Sequence, residues 1–577
     1  MRALKKIFAS AFGLPLIILL LMGINIFTSF WHARFDLTNE KRFTLSKGTK
    51  SILKSIDQPL VIDVYLKGNY PSGFRQLSSG TEDLLREFKE IVGSNLEYHF
   101  IAPEDMVEGS NSVTYGDTLE AMGLEPIPLT AQLKDGQKQQ NIYPFAMIHY
   151  KDKDALVELY KVKNIVIDDA KGSKINNKQL NDAEAMLEYN FAEAIDKIQQ
   201  DHLDKVGYAI GNGEPTDISV YDLAEETLRP NYDLSLINLK SQPLINPEFK
   251  ALIILKPNEE FSESEKLKID QYVMNGGKVL FFVDRLNAEM DSLQLKNQVV
   301  AYDRGLNLED LLFKYGVRIR PNLLLDLQCD YLPFDVSGNG QFEFIPWNYF
   351  PVLESSNNHP INKNLGFVSS RFVNSIDTIE SQEIKKTVLL QSSENSRLLG
   401  SPAIISGKEN SVAPQDQSFH GGHVPVAVLL EGKFTSLFAN HLTNELKDSL
   451  SISNRNYLTA CSNENKILVV SDGDILMNSV IKGDQPLPMG MNPFTYGTKR
   501  QFPFSNKEFL TNALDYMIND NGLSEVKNKK YKVRLLDMKR IRASKLNWQL
   551  FNILLPVSLV LLFAFIFQWL RKRKFSL

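Results

Sequence analysis

The chain has 577 residues, 43% of them hydrophobic and 23% charged, with a formal charge of −5 spread without long blocks of one sign; this composition fits folded domains and gives no electrostatic reason for nucleic acid as a partner. Cys329 and Cys461 are the only cysteines, which excludes a disulfide-stapled scaffold and leaves two readings open, a pair of core thiols or one bridge. Roughly 510 residues lie between two terminal apolar runs, too many for one hydrophobic core and enough for two or three domains.

Residues 1–11 carry Arg2, Lys5 and Lys6 and read as a cytoplasmic terminus ahead of a charge-free run from Phe12 to Trp31. Such a run is long enough for a membrane helix, because about 20 residues cross roughly 30 Å of hydrocarbon with every backbone group satisfied internally. A cleaved signal sequence is the competing reading. Residues Asn25 to Ala33 offer no small-x-small cleavage pair, and Trp31 suits an interfacial anchor, so the run is expected to stay attached.

The next module spans 35–177. Ser46 is placed to cap a short helix over Lys47 to Ile56. Val61 to Leu66 alternates as a strand, Thr81 to Val92 sets Leu84, Leu85, Phe88 and Val92 on one helical face, and Leu96 to Ile101 is a second strand. That order predicts a βαβ unit with parallel strands and a right-handed crossover. Its outline is thioredoxin-like, but without Cys-x-x-Cys it excludes redox chemistry. Leu77-Ser-Ser-Gly80 superficially matches a transporter-ATPase signature, yet without a Walker A loop it carries no ATP chemistry. Residues 142 to 167 add strands, including Phe145 to Tyr150, and 178–200 reads as a long connector helix.

A second α/β domain spans 204–520 and opens with a strand, Lys205 to Ile210, followed by Gly211-Asn-Gly213-Glu214. Helix Ser219 to Leu228, strands Leu234 to Leu239 and Ala251 to Leu255, a helix capped by Ser262 or Ser264 and stopped by Gly276 and Gly277, and strand Lys278 to Val283 follow. This alternation predicts a doubly wound sheet. Leu308 to Gly316 and Leu323 to Leu327 extend it; about 346–417 is rich in Asn, Ser and Pro and reads as a loop-rich insertion with occasional strands; Val424 to Glu431, Lys466 to Asp474 and helix Asn506 to Ile518 restore order.

The candidate ligand contacts are Gly211, Gly213, Glu214, Asp284, Asp472 and Asp474. A glycine loop after a strand presents backbone N–H groups to an anion at a helix start, and acids at carboxyl ends of strands stand where open α/β sheets bind ligands. A structural turn and ordinary capping account for them as well. The third glycine of a dinucleotide fingerprint is replaced by Thr216, and Gly277-Lys278-Val279 fails as a P-loop. His420-Gly-Gly-His423 is a tight histidine pair, read as a flexible loop because no carboxylate sits at a helical interval. Gly-x-Ser-x-Gly and His-Glu-x-x-His are absent. The expectation is a chain with no catalytic residues, no metal and no cofactor. An envelope enzyme is the alternative, and it requires Glu214, Asp284 and Asp472 to converge in one cleft.

Residues 521–545 end in a basic stretch, Lys539, Arg540, Arg542 and Lys545, before a second apolar run, 546–570, and a basic tail, 571–577. Cations are retained on the cytoplasmic side, so Arg2, Lys5, Lys6 and Arg571 to Lys574 place both termini there and the body outside. Lys539 to Lys545 oppose that rule and suit a segment lying on lipid headgroups or docking on a partner.

Several stretches in order, Asp36 to Ser46, Gly211 to Pro215, Asn275 to Asp284, Val424 to Phe434, Val469 to Asp474 and the terminal span with its basic tail, resemble the gliding-motility GldG family of the ABC-transporter auxiliary group. The resemblance covers nearly the whole chain. It implies a two-pass protein of the bacterial inner membrane with a periplasmic body, acting with a separate ATPase and a multispanning permease in gliding and secretion through the envelope. It implies no catalytic residues, and a middle domain similar to a class I glutamine amidotransferase fold without its cysteine. The function expected is thus a non-enzymatic, substrate-engaging transporter subunit; the alternatives are the envelope enzyme and a passive periplasmic link.

Overall fold

The computed structural model describes residue 22 and residues 44–107, 109, 112–133, 136–160, 177–200, 202–290, 298–334, 340–363, 365–381, 383–406, 418–440, 457–502, 504–519 and 538–575. Apart from residue 22, the apolar run Phe12 to Trp31 lies outside them. The chain divides into two units, 1–529 and 530–577.

Helix α1 (Lys47–Lys54) is capped as expected, the Ser46 hydroxyl accepting from Thr49 N at 3.0 Å. Strands β1 (Leu60–Val64), β2 (Leu96–Phe100), β3 (Phe145–Tyr150) and β4 (Lys153–Glu158) form a sheet of order β2-β1-β3-β4. β1 and β2 are parallel, while β3 and β4 run antiparallel. The crossover helix α2 (Ser72–Val92) starts nine residues before the sequence predicts, so Leu77-Ser-Ser-Gly80 lies inside a helix. Within the added turns, a Cβ on Gly73 would sit 2.3 Å from Leu180 Cδ1, so the glycine lets helix α3 (Asn177–Gln199) pack closely. Phe88 of α2 meets Phe191 of α3 edge to face at 6.5 Å, and both helices share one core with β1 and β3.

The second sheet has ten strands. Its backbone comprises β5 (Lys205–Ile210), β6 (Asp233–Asn238), β7 (Phe249–Leu255), β8 (Lys278–Phe282), β9 (Cys329–Phe334), β10 (Glu343–Ser355), β11 (Ile384–Gln391), β12 (Pro425–Gly432) and β13 (Asn465–Val470), in the order β9-β10-β11-β12-β13-β8-β7-β5-β6. From β13 to β6 all pairings are parallel; from β9 to β13 they are antiparallel. The inner parallel strands β7, β8 and β13 are buried on both faces, which is why they read as apolar runs. Leu280, Phe282 and Val470 face Phe509 and Leu514 of helix α5 (Asn506–Ile518); Val279, Phe281 and Val469 face Ile269 and Val273 of helix α4 (Glu263–Met274). The four strands first met in sequence lie in the order β6-β5-β7-β8, so the winding direction reverses between β5 and β7.

The stretch read as loop-rich supplies β10 and β11. Many of its Ser and Asn residues are buried hydrogen-bonding posts: Ser393 donates to Asp326, and the Asn374 side chain donates to Asn322 O. Residues 218–228 are helical, first as a 3₁₀ turn and then as a π-helix over Asp222–Leu228.

In the second unit, helix α6 (Met538–Phe575) is continuous over 38 residues. Its segment Gln549–Leu570 is, among the described residues, the one helix long and apolar enough to cross a membrane.

Candidate functional site

The parallel strands end in loops that hold all six residues singled out in the sequence, and these loops divide them into two networks. The first surrounds Glu214. Gly211 and Gly213 adopt φ of +121° and +79°, and a Cβ on Gly213 would stand 1.8 Å from Asn258 Oδ1. The glycine loop is therefore pressed against the protein's own β7 loop, at the reversal point where a ligand would otherwise enter. Asn212 N donates to Glu214 Oε2 at 2.7 Å, its carbonyl accepts from Asn258 N and Glu259 N, and its side-chain amide reaches Glu265 Oε2 at 3.3 Å. An internal carboxylate thus occupies the N–H group that an anion would seek. Burial raises the Glu214 pKa, opposed by N–H bonds and reinforced by Glu265. Among the described residues, Glu214 Oε1 and Asn212 Oδ1 are buried without a hydrogen-bond partner.

The second network joins the ends of β7, β8 and β13. Lys256, directly after β7 and held at φ +44°, points its ammonium 2.6 Å from Asp474, 3.0 Å from Glu289 and 3.4 Å from Asp284. Arg304 pairs with Glu289 and stands 3.8 Å from Asp284. Gly473 N donates to Asp284 Oδ1 at 2.6 Å. Asp472, wholly buried, accepts from Asp474 N and Arg371 N, each at 2.8 Å. Burial raises Asp284 to about 6 and opposes the Lys256 charge, but Asp474, Asp284 and Glu289 together lift the lysine above its ordinary value. Burial also drives Asp472 well above the carboxylate range, against the pull of its N–H bond from Arg371.

The structure therefore brings Asp284, Asp472 and Asp474 together, while Glu214 is governed by Asn212, Glu265 and Lys240. The arrangement can hold distant segments in register. Lys256, Glu289 and Arg304 were missed by sequence reasoning. Only Lys256 had a signal, as the first polar residue after the apolar run Ala251 to Leu255. Cys329 and Cys461 are free thiols. His420 is exposed, and His423 Nδ1 lies 3.0 Å from Ser392 O and 3.4 Å from Glu354.

Two clefts lie away from the strand ends. One, about 820 Å³, runs between β4 and α3 and reaches Asn231; the other, about 540 Å³, lies among α3, Tyr232, Lys363, Leu365, Gly366 and α5. They share Glu158, Asn190, Glu193, Lys197 and Asn231. In the second, the Tyr189 and Tyr232 hydroxyls donate to Asp515 at 3.3 and 3.2 Å, and Lys197 pairs with Glu193 at 2.8 Å.

A family model described as an ABC-type uncharacterized transport system matches residues 204–513. A second, a domain of unknown function, matches residues 39–149. The chain is 22% identical over 444 residues to an uncharacterized protein of Borreliella burgdorferi, covering 75% of this chain and 79% of that one. Among solved structures, the mmIFT52 N-terminal domain aligns over 55% of this chain and 98% of its own, at 12% identity and a TM-score of 0.29, too low to carry an argument.

Proposed function

The chain belongs to the family described as an ABC-type uncharacterized transport system, and from that membership we propose that it is a membrane-anchored, non-enzymatic auxiliary subunit that engages substrate for an ABC transporter associated with gliding motility. In this reading residues 12–31 and helix α6 anchor it in the bacterial inner membrane, both termini are cytoplasmic and the body is periplasmic. Its partners are a permease and a separate ATPase. Residues 35–177 form a thioredoxin-like module, 178–200 link it onward, and 204–520 form an amidotransferase-like domain.

The observation that carries the non-enzymatic part is the saturation of the strand-end acids by the protein's own groups. Asp284, Asp472 and Asp474 are occupied by Lys256 and backbone N–H groups, so the acids at the ends of β8 and β13 are already committed to the protein's own groups. Purifying the tagged protein from its native membrane in mild detergent tests the assignment. Co-elution of a permease and an ATPase whose hydrolysis changes on removing this chain is expected; a solitary protein overturns it.

A further inference from the structure

Among the described residues strand β4 ends the four-stranded sheet, and all six of its residues line the 820 Å³ cleft against α3. The direction of its backbone groups follows from the turn. Tyr150 is opposite Lys153 across a two-residue connection, and in such a hairpin the flanking pair exchanges both hydrogen bonds. Lys153, Ala155 and Val157 therefore bond to β3, and Leu159 continues the series with its N–H to Pro144 O at 2.8 Å. Asp154, Leu156 and Glu158 turn their backbone groups the other way, into the cleft. Asn190 of α3 marks that side by donating to Glu158 O at 3.1 Å, and Lys153 ties the opposite end to Gln200 O at 2.6 Å. Between these ties lie the N–H and C=O pairs of Asp154 and Leu156, two residues apart along the strand.

We propose that β4 is a docking edge for an extended polypeptide segment rich in basic side chains, which joins the sheet as a further strand. Donor–acceptor pairs repeating at about 6.6 Å match an extended backbone and little else. Charge selects the partner. The two clefts share a wall, and their combined lining sets six carboxylates, among them Asp154, Glu193 and Asp515, against three lysines. The inference stands apart from the transporter assignment, because docking requires neither permease nor ATPase.

The test uses full-length protein in detergent and two synthetic ten-residue probes, one alternating lysine with valine and one alternating glutamate with valine. The lysine probe is expected to slow hydrogen exchange at the Asp154 and Leu156 amides by about tenfold or more, and to bind at least about tenfold tighter than the glutamate probe. Leu156→Pro should abolish binding with little loss of thermal stability, since its N–H points away from β3. Exchange in the wild type decides the matter even if that variant folds poorly. Unprotected amides with both probes, equal binding by both probes, undiminished binding by a folded Leu156→Pro, or amide protection that rises with protein concentration alone, as two copies pairing edge to edge would give, each overturns the proposal.

Discussion

Lys256 sits 8% exposed among Asp284, Glu289 and Asp474, so removing its charge strands buried carboxylates rather than merely losing an ion pair. Lys256→Met is expected to cost about 3–5 kcal/mol in a urea titration, the range for breaking a buried pair. Two glycines make a contrasting pair. Gly213→Ala meets both a positive φ and Asn258, whereas Gly276, at φ +90°, has nothing within 4 Å of an added Cβ. The first substitution should cost clearly more than the roughly 1 kcal/mol of backbone strain expected for the second, and matched unfolding curves would show it. Acid behaviour depends on groups of opposite sign. Burial pushes His359 down to about 4, so the stability linked to its neutral form is complete above pH 6.5 and lost as pH falls toward 4. Asp284, raised to about 6, holds its proton in the folded chain over pH 4 to 6, so its contribution falls as pH rises through that window. Wild-type curves contain both effects. His359→Gln should flatten the acid loss by up to about 3 kcal/mol, and Asp284→Asn should remove the opposing slope; identical pH profiles for all three proteins would refute the assignment.

At the scale of elements, local chemistry was the most legible part. Ser262 caps α4 in a capping box with Glu265, and Ser262→Ala should cost about 1 kcal/mol of stability, read as a shift in urea midpoint at unchanged slope. The βαβ unit, the parallel strands and α5 were readable because each carries an unbroken periodicity or an apolar run ended by a glycine or an acid. β10 and β11 were legible only as unplaced strands of a loop-rich stretch, since their neighbours Asn374, Ser392 and Ser396 are polar residues spent on buried hydrogen bonds. Asp284, Asp472 and Asp474 lie together because topology places strand ends together; Glu289 and Arg304, which complete the cluster with Lys256, come from segments with no periodic signature. The β4 edge required the register of a hairpin, which sequence alone does not fix.

For the whole molecule, two anchors make a distinct prediction from one. A chain lacking residues 538–577 should remain in carbonate-washed membranes, and only removal of residues 1–31 as well should release it; release by the first deletion alone would dismiss the N-terminal anchor. The pairing of Phe282 with Val470 also bears on how this protein comes into being. The ribosome must add about 190 further residues before β8 meets β13, roughly 10–40 s at about 5–20 residues per second. During that interval Val279 to Phe282, fully apolar and buried at completion, forms the unfinished margin of a sheet, the kind of edge that pairs with strangers. A hazard of aggregation therefore falls during the chain's synthesis, before the mature surface exists.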